Sequence, residues 1–281
     1  MMNLQNALFE ANNILRENHI RTPNLDSEIL LSKVLKKDRK YIVLNLDQYL
    51  EKKLYDKFKK LILQRLAGKP IAYIVGKKEF WKYEFDVSDK VLIPRPDTEV
   101  IIEEVLKIFK HKKKLNVLEI GVGSGCILLS ILKEKNCSRG IGVDISKNCV
   151  ELSKKNALKL DLDSRVKFFK SDVDNFFHGK YDLVVSNPPY IKKQDLKYLE
   201  IDVAKYEPKL ALDGGIDGVS EIIKVIDKSS KLVKKGGKLI LEINFDQGNR
   251  VRELLKRKGY YINKVIKDFG KKNRCIVSTK L

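Results

Sequence analysis

The four residues Asn187-Pro188-Pro189-Tyr190 form the most informative motif in this sequence of 281 residues. They directly follow Leu183-Val184-Val185-Ser186, a short apolar run typical of a buried strand. Two adjacent prolines fix two φ angles and remove two N–H donors, and a residue before proline is pushed into an extended conformation. We therefore expect Asn187 to be held rigidly at the carboxyl end of a strand, where open α/β sheets bind their ligands.

An asparagine held in this way suits the transfer of a group to a planar nitrogen, which is a poor nucleophile because its lone pair is delocalised. The Asn187 side-chain oxygen and the Pro188 carbonyl can each accept one N–H of the target and so aim the nitrogen at an electrophile. Tyr190 offers an aromatic wall against a flat substrate. The motif indicates the class of reaction and leaves the substrate open, since nucleic-acid bases and protein amides both carry planar NH2 groups.

The glycine-rich turn Gly121-Val122-Gly123-Ser124-Gly125 is the second feature with chemical meaning. It lies between the apolar strand Val117 to Ile120 and a helical stretch from Cys126 to Leu132. Glycines let the backbone approach a ligand closely, and a helix N-terminus presents N–H groups to it. A dinucleotide fingerprint requires Gly or Ala where this chain has Cys126. The spacing is instead the GxGxG of class I methyltransferases, and a tight strand-to-helix turn is the structural alternative.

Acidic residues follow the next two strands. Asp144 comes directly after Val143, where a carboxylate can accept hydrogen bonds from two vicinal ribose hydroxyls. Both NAD and S-adenosylmethionine carry such a ribose, so Asp144 does not distinguish them. By resemblance to class I methyltransferases, Asp172 would contact the adenine amino group and Val173 would pack on the ring. An ordinary turn acid is the alternative for Asp172.

The elements that must position these residues form three segments. Residues 1–77 carry apolar stripes at helical spacing and predict a small helical bundle. Residues 78–94 predict a β-hairpin linker, with a turn at Ser88-Asp89-Lys90. Residues 95–281 alternate strands and helices, which predicts an α/β domain with a mostly parallel sheet covered on both faces. Its strands are expected at residues 116–120, 140–143, 166–169, 183–185, 238–243, 260–266 and 275–279.

Further segments resemble one family, the bacterial release factor glutamine N5-methyltransferases of the HemK or PrmC type. These segments are Gly68 to Gly76, Glu79-Phe80-Trp81, Val91 to Glu99, Tyr206 to Gly215, Leu241-Glu242-Ile243 and Gln247-Gly248. The similarity covers almost the whole chain, and Pro-Arg-Pro-Asp-Thr-Glu combined with Asn-Pro-Pro-Tyr is highly specific. Asp97 stands where the family often has Glu, and Val173 stands where relatives can have an aromatic residue.

The resemblance implies a Rossmann-like class I methyltransferase domain with a seven-stranded, mostly parallel sheet and a small N-terminal helical-bundle domain. It implies methylation of the glutamine in the Gly-Gly-Gln motif of peptide chain release factors 1 and 2, with S-adenosylmethionine as donor and S-adenosylhomocysteine as product. The bundle would help to dock the release factor. The implied cofactor contacts are Gly121, Val122, Gly123, Ser124, Gly125, Asp144, Asp172, Val173 and Asn187. The implied catalytic residues are Asn187, Pro188 and Tyr190, and Asn187, Pro188, Pro189 and Tyr190 would hold the glutamine.

Two of the segments that resemble the family can be explained by a structural role as well as by a role at the active site. For Arg95 we favour a structural salt bridge over direct contact with a substrate. For Tyr206-Glu207-Pro208 we favour a loop that borders the active site, and local structure explains this segment nearly as well.

The net charge of the chain does not decide between a protein and a nucleic acid as the partner. Lys and Arg number 57 against 37 Asp and Glu, giving a formal net charge of +20 that is spread along the chain. A strongly basic balance can indicate a nucleic-acid partner. The alternative function is therefore a nucleic-acid exocyclic-amine methyltransferase acting on N6 of adenine or N2 of guanine, but base-holding elements rich in Arg or aromatic residues are not evident. The intact glycine loop argues against a non-enzymatic binding module, and no hydride-transfer constellation supports an NAD oxidoreductase.

The remaining composition sets the expected environment. Four cysteines and three histidines are scattered without the spacing of a zinc site, so we expect reduced thiols and no metal. No apolar run approaches the roughly 20 residues that span a bilayer, and the N-terminus lacks the layout of a signal peptide. We expect a cytoplasmic monomer that requires neither a membrane nor a nucleic acid.

Overall fold

The computed structural model describes residues 2–268 and 270–281. The chain forms two compact units. The first contains Met1–Lys77 together with Glu200–Tyr206, and the second contains Lys78–Leu199 and Glu207–Leu281. Among the described residues, no helix combines the length and apolar character needed to cross a membrane.

The helices and strands have the following bounds. The α-helices are α1 (Leu4–Glu17), α2 (Pro23–Leu35), α3 (Arg39–Leu44), α4 (Lys52–Leu66), α5 (Ile71–Val75), α6 (Glu99–Ile108), α7 (Cys126–Glu134), α8 (Lys147–Lys159), α9 (Ile201–Tyr206), α10 (Ser220–Leu232) and α11 (Gly248–Arg257). The strands are β1 (Lys77–Phe80), β2 (Tyr83–Asp86), β3 (Asn116–Ile120), β4 (Arg139–Asp144), β5 (Val166–Lys170), β6 (Tyr181–Ser186), β7 (Val233–Glu242), β8 (Tyr260–Lys267) and β9 (Asn273–Lys280).

The first unit is a helical bundle around an aliphatic core. The buried face of α1 recurs every three or four residues and consists of Leu4, Ala7, Leu8, Ala11 and Leu15. This is the stripe that an amphipathic helix packs inward. Asn3 caps the helix, since its side-chain oxygen accepts the Asn6 N–H at 2.8 Å.

A helix from the middle of the chain completes the first unit. The Asp202 carboxylate on α9 lies 3.7 Å from the Arg65 guanidinium, which also pairs with the buried Asp26 at 2.7 Å. The Tyr206 hydroxyl donates to the Ala67 carbonyl at 2.8 Å. The sequence pattern alone assigns residues 200–206 to the range 95–281, because helical spacing does not reveal which core a short helix joins.

The second unit is built on a seven-stranded sheet in the order β5-β4-β3-β6-β7-β9-β8. The pairings from β5 to β7 are parallel, whereas β9 runs antiparallel to both β7 and β8. All residues of β6 are buried, as expected for a parallel strand covered on both faces. The sheet confirms the predicted mostly parallel α/β fold. Every strand predicted within residues 95–281 overlaps an observed one, and the largest difference is at β7, which begins at Val233.

The hairpin differs from its predicted form. The strands β1 and β2 meet at Trp81, whose φ of 58° lies in the left-handed region and whose N–H donates to a carboxylate oxygen of Glu99 at 2.8 Å. A turn is present at residues 88–91, where the Val91 N–H donates to the Ser88 carbonyl at 3.0 Å. Residues 91–93 form no strand after it. The buried Phe80 and Phe85 belong to the core of the second unit, so the hairpin is packed into that unit.

The two central strands end at the motifs found in the sequence. β3 ends at Ile120, before the glycine-rich turn, and β6 ends at Ser186, before Asn187. Ile120 and Ser186 lie opposite each other, and the Ser186 hydroxyl donates to the Ile120 carbonyl at 2.7 Å. Because β4 lies on one side of β3 and β6 on the other, these carboxyl ends form a topological switch point, where α/β sheets bind ligands.

Candidate active site

A cavity of about 660 Å³ lies at the carboxyl ends of β3 and β6. This volume falls within the roughly 300–1,000 Å³ of small-molecule sites. The predicted site residues that line it are Gly121, Val122, Gly123, Ser124, Asp144, Asp172, Val173, Asn187, Pro188 and Pro189. Gly125 and Tyr190 lie outside its lining. The structure thus brings most of the predicted residues together around one space.

The glycine-rich turn forms a cradle at the floor of this cavity. Gly121 and Gly123 have φ of 75° and 54°, a region that favours glycine. A Cβ at Gly121 would meet no atom within 4 Å, so the backbone there faces open space. Two side chains of α8 donate to carbonyls of the turn. The Ser153 hydroxyl donates to the Gly123 carbonyl at 2.9 Å, and the Asn156 side-chain amide donates to the Ser124 carbonyl at 2.8 Å. Helix α8 therefore fixes the turn.

Asp144 closes the same turn from β4. Its Oδ2 accepts the Gly123 N–H at 2.9 Å, and its Oδ1 accepts the Ser146 N–H at 2.9 Å. Burial raises the pKa of this carboxyl, while the two backbone N–H groups and a hydrogen bond from the Cys149 side chain act in the opposite direction. A carboxylate offers about four acceptor positions, so these three donors leave capacity for a ligand hydroxyl.

Asp172 and Val173 follow β5 at another wall of the cavity. The Asp172 carboxylate accepts the Asp174 N–H at 3.4 Å, so it acts as a local cap in addition to lining the cavity. Val173 is buried in the apolar cluster that contains Ile120 and Val143. This wall therefore offers an apolar surface beside a carboxylate.

The Asn-Pro-Pro-Tyr motif divides between the cavity and the protein interior. Asn187 lines the cavity, and its Nδ2 donates to the Thr98 hydroxyl oxygen at 3.3 Å. The Tyr190 hydroxyl donates to Oε1 of Glu242 at 3.2 Å, and the contact of its ring with a flat substrate stays a prediction. Burial and the neighbouring Glu242 raise the pKa of Tyr190. Pro188 and Pro189 line the cavity next to Asn187.

Two of the segments that carry the family resemblance, Tyr206 to Gly215 and Gln247-Gly248, hold the backbone around Tyr190. The Gln247 amide donates to the carbonyls of Tyr190 and Gly218 at 3.0 and 2.9 Å. The Gly214 N–H donates to the Ile191 carbonyl at 2.8 Å. A Cβ at Gly214 would lie 2.8 Å from the Tyr190 Cα, so this close approach requires glycine.

Arg95 forms the salt bridge favoured for it. Its guanidinium pairs with the carboxylate of Glu207, which is buried, and Arg95 also borders the cavity. The next residue, Pro208, lines the cavity as well, as expected for a loop bordering the site. The pair thus connects the loop before α6 to the loop before α10.

Three buried polar residues have no role assigned from the sequence: Thr98 and Glu119, which line the cavity, and Glu242, which contacts Tyr190. Glu119 accepts the Leu128 N–H at 2.9 Å, and burial raises its pKa well above the usual range. Glu242 is 1% exposed at the end of β7, and burial raises its pKa to about 7. A carboxylate directly after a run of buried apolar residues, Val117-Leu118 before Glu119 and Leu239-Ile240-Leu241 before Glu242, was the available signal for both.

Comparison with known proteins agrees with this fold. The family model of the PrmC N-terminal domain matches residues 6–76, and that of the methyltransferase small domain matches residues 98–205. A methyltransferase from Pyrococcus furiosus has a similar structure, with a TM-score of 0.53 and 20% sequence identity over 79% of this chain and 97% of that one. The second unit has the fold of the class I S-adenosylmethionine-dependent methyltransferases.

Relatives in sequence extend over both units. A release factor glutamine methyltransferase of Caulobacter vibrioides is 34% identical over 280 residues, which cover 99% of this chain and 97% of the relative. A bifunctional methyltransferase of Rickettsia conorii is 34% identical over 299 residues, and the match covers 98% of this chain but 57% of the relative's length. The chain belongs to the family of release factor glutamine methyltransferases.

Proposed function

We propose that this protein methylates the side-chain amide nitrogen of the glutamine in the Gly-Gly-Gln motif of peptide chain release factors 1 and 2. The observation that carries the proposal is the rigid Asn187 amide, which shares one cavity with the glycine-rich turn. Sequence similarity to a release factor glutamine methyltransferase over nearly the whole chain supports a glutamine as the acceptor. Because release factors act in translation, we also propose that the protein works in the cytoplasm. We further propose that it acts as a monomer.

The lining of the cavity fits S-adenosylmethionine as the methyl donor. The open space over Gly121 leaves room for a ligand against the backbone, and Asp144 keeps acceptor capacity for ribose hydroxyls. Asp172 and Val173 would hold the adenine, and Asn187 would border the reacting end. When bound, the donor supplies a methyl group on a positively charged sulfur and is converted to S-adenosylhomocysteine.

The chain contributes position and electrostatic stabilisation. The Asn187 Oδ1 and the Pro188 carbonyl accept the two N–H groups of the target amide, which fixes the nitrogen and stabilises positive charge developing on it. The nitrogen–methyl bond forms while the sulfur–methyl bond breaks, and the nitrogen then loses one proton to water. Two neutral acceptors suffice for this transfer, and no covalent bond to the protein is needed.

Transfer of labelled methyl groups tests the proposed function. The purified protein is incubated with methyl-labelled S-adenosylmethionine and each of four acceptors: a release factor, the same factor with its Gly-Gly-Gln glutamine changed to alanine, duplex DNA and ribosomal RNA. We expect label on the intact factor alone. Label on nucleic acid and none on the factor would overturn the proposal, as would no transfer by a protein that binds S-adenosylmethionine in calorimetry.

We also propose that the first unit helps to dock the release factor. Val43, Leu44 and Tyr49, within and after α3, are 54%, 81% and 56% exposed. Single exposed apolar residues are common, but several close together in the chain are typical of an interaction surface. We call these three residues the α3 surface.

Charge placed on the α3 surface is expected to weaken docking. The double substitution Val43→Asp and Leu44→Asp should raise KM for the release factor about tenfold, roughly 1.4 kcal/mol of binding, and leave kcat and S-adenosylmethionine affinity unchanged. Leu281→Asp, at an equally exposed apolar residue of the second unit, is the matched control. An unchanged KM in the double variant would contradict a docking role for this surface.

A further inference from the structure

The orientation of the Asn187 side chain depends on Thr98, a residue far from it in the sequence. Thr98 is 2% exposed and lies just before α6, where its hydroxyl oxygen receives the Asn187 Nδ2 donor at 3.3 Å. The Thr98 backbone is fixed in turn, because its N–H donates to the Arg95 carbonyl at 3.1 Å. Thr98 also lines the cavity. The hydroxyl is therefore a fixed point against which the amide is oriented.

The direction of this amide decides what it can do. An asparagine side chain presents an acceptor oxygen on one side and an NH2 donor on the other. With Nδ2 on Thr98, the oxygen is left for a ligand, and within the described part of the chain no donor binds it. Rotated by half a turn, the same side chain would offer N–H groups to a target that is itself an N–H donor. Methyl transfer to an amide nitrogen requires the first orientation.

A hydroxyl alone does not impose that orientation, because it can donate as well as accept. Glu242 removes this freedom. Its carboxylate is buried at the end of β7, next to β6, and Oε1 accepts the Tyr190 hydroxyl at 3.2 Å. Oε2 is buried and has no partner of its own among the hydrogen bonds of the described residues, and the nearby Thr98 hydroxyl lowers the pKa of Glu242 as a hydrogen-bond donor. An ionised carboxylate is only an acceptor, so a Thr98 hydroxyl that donates to it must accept from Asn187.

We propose that Thr98 and Glu242 are positioning residues for methyl transfer: the Glu242 carboxylate accepts a hydrogen bond from the Thr98 hydroxyl, and Thr98 thereby turns the Asn187 oxygen toward the target nitrogen. This inference rests on the proposed function of Asn187. It assigns a joint role to three segments that are far apart in the sequence, since Glu242 orients Tyr190 directly and Asn187 through Thr98.

The ionisation of Glu242 gives the arrangement a dependence on pH. Burial raises its pKa to about 7, and the Thr98 hydroxyl, the Arg274 guanidinium and the Tyr190 hydroxyl lower it, in that order. The titratable and charged groups that face Glu242 are Asp97, Tyr190, Arg274, Cys126 and Cys275. As the pH falls through about 7, Glu242 gains a proton and can itself donate to Thr98. The Asn187 amide then loses its fixed direction.

Substitution of Thr98 tests the proposal. Thr98→Val keeps the shape and removes the hydroxyl, so we expect kcat with the release factor to fall about 10- to 100-fold, the effect of a misplaced reacting group. The dissociation constant of S-adenosylmethionine should change less than about twofold, and Thr98→Ser should recover most of kcat. Thr279→Val is the matched control, since its hydroxyl donates to Asn263 on β8, away from the cavity. A Thr98→Val enzyme with wild-type kcat would overturn the inference.

The pH profile supplies a second, independent readout. Wild-type kcat should decline below about pH 7, where Glu242 is protonated, and Glu242→Gln should have a low kcat without this decline. An unchanged acidic limb in Glu242→Gln would overturn the inference even if Thr98→Val failed to fold. Failure of the proposed function is seen separately, because the wild-type protein would then label no release factor at any pH.

Discussion

Replacing Asn187 by alanine is expected to lower kcat for methyl transfer to the release factor by about 10²- to 10³-fold, the usual effect of deleting one pre-positioned electrostatic contact in an active site. Asn187 lines the cavity with its Nδ2 engaged by Thr98, so its oxygen is the side-chain acceptor available to the target amide. Without it, the nitrogen is less well aimed, and the positive charge that develops on it is stabilised by one acceptor fewer.

Single-turnover kinetics and calorimetry together check this prediction. The rate of the chemical step should fall, whereas S-adenosylmethionine should still bind, because the glycine-rich turn and Asp144 do not depend on the Asn187 side chain. Asn136→Ala is the matched control, since Asn136 is exposed on the loop after α7. If Asn187→Ala retained a third or more of the wild-type rate, the amide oxygen would not be the acceptor that we infer.

The features predicted well from the sequence are those governed by local chemistry. The buried strands at residues 116–120 and 183–185 contain few polar residues, and their ends are marked by glycine or proline. A strand, a glycine-rich turn and a helix have one common geometry, and two prolines after Asn187 restrict the backbone. The sheet and the cavity lining follow from these constraints, because parallel strands bring their carboxyl ends to one edge.

The features that were not predicted depend on contacts between distant segments. Thr98 and Glu242 meet Asn187 and Tyr190 only after β6 and β7 have paired. The Tyr190 hydroxyl donates to a buried carboxylate, and this partner was not predicted. A tyrosine hydroxyl that leaves water needs such a partner, and no spacing rule in the sequence specifies which carboxylate supplies it.

Replacing Asp144 by alanine is expected to raise the dissociation constant of S-adenosylmethionine about 100-fold. Asp144 has two tasks: its oxygens hold the backbone N–H groups of Gly123 and Ser146, and their remaining capacity suits the ribose hydroxyls. Hydrogen bonds to a charged group contribute about 1.5–3 kcal/mol each, and about 1.4 kcal/mol corresponds to a factor of ten. The loss of one such ligand contact therefore corresponds to about 10- to 100-fold in affinity, and loosening of the turn acts in the same direction.

The variant Asp144→Asn separates these two tasks. Its one oxygen can replace only one carboxylate acceptor, and its NH2 group faces a backbone N–H, so we expect an effect near tenfold in the dissociation constant, about 1.4 kcal/mol. Calorimetric titration of S-adenosylhomocysteine measures both variants, with the exposed Asp163→Ala as control. Burial raises the pKa of Asp144, so wild-type affinity should also begin to fall at a higher pH than for an ordinary aspartate. Equal affinities in wild type and Asp144→Ala would remove Asp144 from the cofactor site and leave it only the role of closing the glycine-rich turn.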